Sequence, residues 1–160
     1  MSKIKELLKS DDSILVFDID GVLAVLEFGE YRAYFADDNT WTEEILNGTN
    51  FYDEAKVSKK MQEFLMNKNM NNIYVITKSY TKEEDLMKKE FVKKYYNIID
   101  ENFYTVRGEL EKKEVLKMIK EKTGVEDYKI VMIDDTSSIL CDVMDNTNFS
   151  TAHISSFLDM

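Results

Sequence analysis

A Rossmann-like α/β fold, three layers α/β/α around a central parallel sheet, is what three observations in the sequence predict. Strand-like and helix-like segments alternate from Ser13 to Ile154, the pattern that crossover connections in a parallel sheet impose. Ile14-Leu15-Val16-Phe17, Ile73-Tyr74-Val75-Ile76 and Ile130-Val131-Met132-Ile133 are unbroken apolar runs without helical spacing, as strands covered on both faces read. Each of these runs ends in a polar cluster: Asp18-Ile19-Asp20-Gly21, Thr77-Lys78-Ser79 and Asp134-Asp135. Ligands of open α/β sheets bind at the carboxyl ends of the strands, so the clusters are expected to meet along one edge as a single site.

The elements follow in order. Ile4, Leu7 and Leu8 mark a short amphipathic helix ending near Ser10-Asp11-Asp12, followed by the first strand. Residues 24–52 are the irregular part, with Phe28, Tyr31, Tyr34, Phe35, Trp41, Phe51 and Tyr52; Gly29-Glu30 suits a hairpin, and Thr40 with Glu43 a capping box. Val57, Met61, Phe64 and Leu65 form one stripe of a helix from about Asp53 to Asn67, broken by Asn67, Asn69, Asn71 and Asn72. After the second strand, Thr81 and Glu84 form another capping box. It opens a helix with Met87, Phe91, Val92, Tyr95 and Tyr96 inward and its lysines toward water. Asn102 to Val106 is a weaker strand candidate, and Glu111 to Lys122 a helix with Val115, Leu116 and Ile119 on its core face, stopped by Gly124. Lys129 to Ile133 is the next strand, Thr136 to Met144 a helix, and Thr151 to Ile154 a short last strand.

A length of 160 residues suits one domain, 1–160, carrying a small lid-like insertion at about 24–52. Hydrophobic content of 44% and charged content of 32% describe a globular chain, not a disordered one. No apolar run approaches the ~20 residues of a membrane span, and Met1 to Asp12 lacks the apolar stretch of a signal peptide, so a cytoplasmic location without membrane association is expected. Cys141 and His153 are the only residues of their kinds, which excludes an internal disulfide and a His/Cys zinc cage; both read as packing residues. A net charge of −10 argues against general nucleic-acid binding, whose affinity comes from Lys and Arg neutralising phosphates. A small phosphorylated substrate is still compatible, because charge at a metal site overrides the global sign. Nothing in the chain demands a large interface, and a monomer or weak homodimer is expected.

Asp18 and Asp20 are two carboxylates in one tight loop, which repel each other unless a cation or a proton relieves them. Phe17-Asp18-Ile19-Asp20-Gly21-Val22-Leu23 resembles the first motif of the haloacid dehalogenase superfamily, and the other stations follow in register. Thr77 closes a strand as the second motif's Ser or Thr does. Lys112 or Lys113 opens a helix as the third motif's lysine does, and Asp134-Asp135 closes a strand as the fourth motif's acids do. Lys112 is preferred, because members commonly place this lysine four residues before a core leucine, here Leu116.

The resemblance implies that superfamily's fold with a minimal cap, and a Mg²⁺-dependent phosphatase working through an aspartyl-phosphate. It makes Asp18 the nucleophile and Asp20 the acid and base, with a pKa raised by its acidic neighbours. Thr77, Lys78 and Lys112 would bind phosphate, and Asp18, Asp20, Asp134 and Asp135 would provide the oxygens Mg²⁺ prefers. The chain has no proline after the motif lysine and has Ile133 where glycine often stands, departures that concern subgroup. A weaker resemblance to the deoxyribonucleotidase branch points to a nucleotide or another small phosphorylated metabolite. The alternatives are a receiver-like domain, which would carry its lysine at a strand end, and a catalytically silent phosphate-binding domain.

Overall fold

This computed structural model describes residues 2–25, 37–158 and 160. In chain order they form α1 (Lys3–Lys9), β1 (Ile14–Phe17), β2 (Ala24–Val25), α2 (Asp38–Leu46), α3 (Phe51–Glu54), β3 (Lys56–Val57) and α4 (Lys59–Leu65). Then come β4 (Ile73–Lys78), α5 (Lys82–Tyr96), β5 (Phe103–Val106), α6 (Lys112–Thr123), β6 (Ile130–Asp134), α7 (Ser137–Asn146) and β7 (Ser150–His153). Five strands make a parallel sheet in the order β5-β4-β1-β6-β7.

β1 is hydrogen-bonded on both sides, to β4 and β6, and none of its residues is more than 2% exposed. That is why it reads as an unbroken apolar run rather than an alternating one. Leu15 and Phe17 join a core with Leu8 of α1, Met61 of α4 and Phe91 and Val92 of α5. Ile14 and Val16 point the other way, into a core with Leu116 and Ile119 of α6 and Leu140 and Val143 of α7. Helices therefore cover both faces, each buried aliphatic contributing about 1.5–3 kcal/mol. Among the described residues no helix is long and apolar enough to cross a membrane.

The predicted helix from Asp53 to Asn67 is instead broken into α3, β3 and α4. Lys56 and Val57 pair antiparallel with Val25 and Ala24, and the Ser58 hydroxyl then caps α4 at the Met61 N–H. The Tyr96 hydroxyl ties this stem to α5, accepting from the Ser58 N–H at 3.0 Å and donating to the Leu23 carbonyl. The expected capping box at Thr40 fails because Asp37 lies one turn earlier and already accepts from the Asn39 and Thr40 N–H groups. At α5 half of the expected box forms: Thr81 Oγ1 accepts from the Glu84 N–H at 3.1 Å, but the Glu84 carboxylate turns to the Tyr80 N–H instead. The lysines of α5 do not all face water either, since Lys88 is 1% exposed. Cys141, expected in the core, is exposed. The Gly29-Glu30 hairpin, with Phe28, Tyr31, Tyr34 and Phe35, lies outside the described residues.

Candidate active site

β4, β1 and β6 are neighbours in the sheet, so their carboxyl ends bring Thr77-Lys78, Asp18-Asp20 and Asp134-Asp135 to one edge. Asp18 follows β1 directly, and its N–H still bonds the Ile133 carbonyl at 2.9 Å. The chain then folds back tightly: the Ile19 carbonyl accepts from the N–H groups of Val22, Leu23 and Ala24. Gly21 makes this loop possible twice over. Its φ is +77°, and a Cβ there would stand 2.2 Å from Asp135 Oδ2, so only glycine lets that carboxylate close on the loop.

Asp18 is buried beneath a cavity of about 570 Å³ whose wall includes Asp20, Gly21, Lys78, Glu109, Asp135 and His153. Carboxylate oxygens of Asp18, Asp134 and Asp135 lie within 4.8 Å of one another. Burial pushes the Asp18 carboxyl up to about 7; Lys112 opposes this, and Asp134 and Asp20 add to it. Asp135 is also raised, by burial and then by Asp134. Asp18 Oδ1 is buried without a hydrogen bond, although Lys112 Nζ is 3.2 Å away. Three hard oxygen donors, two of them destabilised as bare anions and one lacking a hydrogen bond, fit a Mg²⁺ ion. Asp20 lies outside this set, although the family resemblance placed it among the ligands.

Lys112, the first residue of α6, is 1% exposed, and its ammonium meets three carboxylates: Asp134 at 2.9 Å, Glu109 at 3.1 Å and Asp18 at 3.2 Å. Burial works against its charge, but the three anions outweigh that and raise its pKa. Lys113 is one helical step round and pairs with Asp142 of α7 instead, at 3.0 Å. Of the two candidates, Lys112 is the one at the site. Asp134 is oriented by two contacts, Oδ2 on Lys112 and Oδ1 on the Thr136 N–H, each at 2.9 Å, which leaves further lone pairs on both oxygens for a cation.

Lys78 reaches the cavity wall, whereas Thr77 is fully buried and is not part of that wall. The Thr77 hydroxyl accepts instead from Lys88 Nζ at 3.3 Å. His153, read from sequence as packing, lines the cavity and donates from Nε2 to the Asp135 carbonyl at 2.9 Å. Its Nδ1 takes the Ser155 N–H.

Several groups around Asp20 escaped the sequence reading. Lys88 Nζ lies 2.8 Å from Asp20 Oδ2, and the Tyr52 hydroxyl donates to Asp20 Oδ1 at 2.8 Å. Glu84 is 3.0 Å from Lys88 and accepts from Trp41 Nε1 at 3.1 Å. A signal was present: Glu84 and Lys88 stand at i and i+4 on the stripe that continues through Phe91 and Val92, so a charged pair was written into a core face.

No protein-family model matches the chain, and no curated protein matches it. Solved structures do. A HAD family enzyme, bt-2542 of Bacteroides thetaiotaomicron, superposes with a TM-score of 0.52 at 13% identity over 88% of this chain and 92% of that one. The wild-type form of that enzyme in complex with magnesium and inorganic phosphate gives 0.51 at 15% identity, over 87% and 92%. The UTR4 protein of Saccharomyces cerevisiae gives 0.53 at 12% identity, over 87% and 89%. The fold of this chain is thus the one seen in HAD, or haloacid dehalogenase, structures.

Proposed function

We propose that this chain, sharing its fold with haloacid dehalogenase structures, is a Mg²⁺-dependent phosphatase of that superfamily that hydrolyses a small phosphate monoester. The observation that carries the reading is the position of Asp18. It ends the central strand, buried against Lys112, with two further carboxylates close enough to share a cation. The magnesium complex with inorganic phosphate formed by bt-2542 is consistent with this.

Asp18, Asp134 and Asp135 would hold the ion, which when bound offsets their charge and lets one anion approach another. An Asp18 oxygen attacks phosphorus, forming the O–P bond of an aspartyl-phosphate as the ester P–O bond breaks. In its protonated form Asp20, on the cavity wall, gives a proton to the departing oxygen and is left as the carboxylate that Lys88 holds. Asp20 then takes a proton from water as the water oxygen attacks phosphorus and the Asp18–phosphorus bond breaks. The alcohol and inorganic phosphate leave, and Asp18 is restored. Lys112 balances charge on Asp18 throughout, and Lys78 is positioned at the wall to meet phosphate oxygens.

The test is a screen of phosphate monoesters, nucleotides and sugar phosphates included, with and without Mg²⁺. Turnover that stops on chelation and in Asp18→Asn supports the reading. Phosphate binding with no turnover of any ester would leave a silent phosphate-binding domain.

A further inference from the structure

We infer that the segment between β1 and β4 acts on the reaction by positioning Asp20, with Lys88 of α5 as the positioning residue; this rests on the phosphatase reading above. Both oxygens of Asp20 are held, Oδ1 by the Tyr52 hydroxyl of α3 and Oδ2 by Lys88 Nζ, each at 2.8 Å. The carboxylate cannot turn without losing one of them. Lys88 is itself fixed, because its ammonium also meets Glu84, the Thr77 hydroxyl and the Lys78 carbonyl. Glu84 is fixed in turn, with Oε1 accepting from Trp41 Nε1 of α2 and Oε2 from the Tyr80 N–H at 2.7 Å.

Two aromatic residues of the inserted segment therefore converge on one carboxylate, Tyr52 directly and Trp41 through Glu84 and Lys88. Their polar atoms point into the protein, and the Trp41 ring is stacked on Phe51 with centroids 4.0 Å apart. Tyr52 keeps its proton, since burial and the nearby Asp20 raise its pKa. A role in stability alone explains the cluster poorly, because well-packed apolar residues often replace a buried ion pair at no loss of stability. What the network supplies is a fixed direction. The Asp20 side chain remains 33% exposed toward the cavity, so it meets a leaving group from one constant angle.

The experiment compares p-nitrophenyl phosphate, whose leaving group needs no proton, with glycerol phosphate, whose leaving group does. Lys88→Met is expected to lower kcat on glycerol phosphate about 100-fold and on p-nitrophenyl phosphate about 10-fold or less, with KM within about twofold. In an Asp20→Asn background the same change should cost less than about twofold, as expected for groups acting as a unit. Trp41→Phe keeps the stacking and deletes the N–H, and Tyr52→Phe deletes the hydroxyl; each should give a smaller loss of the same leaving-group-dependent kind. These two variants decide the matter if Lys88→Met does not fold. Equal losses on both esters, or full additivity with Asp20→Asn, overturn the inference. A wild-type protein inert on every ester overturns the phosphatase reading instead. The positioning is then read from crystal structures of Lys88→Met and Tyr52→Phe: a displaced Asp20 carboxylate supports it and an unmoved one overturns it.

Discussion

Lys88 and Lys112 are each 1% exposed and each holds one aspartate of the Asp18-Ile19-Asp20 loop, yet they are built from different material. Lys112 begins a helix at the sheet edge, and two of its three carboxylate partners come from the ends of β1 and β6. Lys88 sits nearly two turns inside α5, and its surroundings are completed by Trp41 and Tyr52 from outside the sheet. Under the proposed function, the bond-making half of the site thus belongs to the scaffold. The proton-transfer half depends on the inserted segment.

The largest expected effect tests that division. Lys112→Met should lower kcat by about 10³-fold or more on aryl and alkyl esters alike, because it removes charge balance from the nucleophile itself. A loss confined to poor leaving groups would collapse the distinction between the two lysines, and parallel kinetics on the two ester types measure it.

Gly21→Ala comes next, since it breaks the loop that joins both halves. Its φ of +77° and the 2.2 Å approach to Asp135 Oδ2 leave no room for a methyl group, so a destabilisation of about 2–4 kcal/mol is expected in urea melts, with weaker Mg²⁺ binding.

A third effect belongs to the Lys112 half alone. In metal-free protein burial pushes the folded Asp18 carboxyl up to about 7 from an ordinary value of 3.8, so the folded state binds this proton more tightly than the unfolded one. Stability from this group is fully present below about pH 4 and is lost as pH rises through 7. The expected size is about 2–4 kcal/mol. Asp18→Asn should flatten that slope in chemical melts between pH 4 and 8, and Mg²⁺ should flatten it in the wild type. A slope unchanged by both would show that Asp18 ionises as freely in the folded chain as in the unfolded one.

The smallest effect is a control. Lys113→Ala removes a partly exposed pair with Asp142 and should cost less than about 1 kcal/mol and no activity. Loss of turnover there would move the motif lysine one residue along.

The sheet was legible because its strands are covered on both faces. Ile14–Phe17 and Ile130–Ile133 have no other way to be buried, and their terminal acids mark the site. Asp18, Asp134 and Asp135 were marked by acids closing buried strands, whereas Lys112 came from the resemblance to the haloacid dehalogenase superfamily. The Asp53 to Asn67 segment was misread because helical spacing of Val57, Met61 and Leu65 survives a two-residue strand, and pairing with Ala24 and Val25 is non-local. Lys88 was missed for a related reason: lysine on a helix is ordinarily solvated, and the carboxylate that buries it comes from a loop 68 residues away, Asp20. Thr77 was placed on the right strand, but the outward or inward aim of its hydroxyl depends on Lys88 and could not be read without it.

The stem formed by β2 and β3, clamped by Tyr96, brings the two ends of the inserted segment together. Chain leaves after Val25 and returns at Lys56, two residues that sit opposite each other. Exchanging everything between them for a segment of another length costs little in closure entropy, about 0.6 kcal/mol per doubling. Such a transplant would seat on the scaffold with the nucleophile and its lysine intact. Under the proposed function, unless it also brought a hydroxyl and an indole to the places of Tyr52 and Trp41, it would keep the means to make the phosphorylated intermediate while losing its grip on the group that completes the turnover. Exchange at this stem would then alter substrate range before it restored speed.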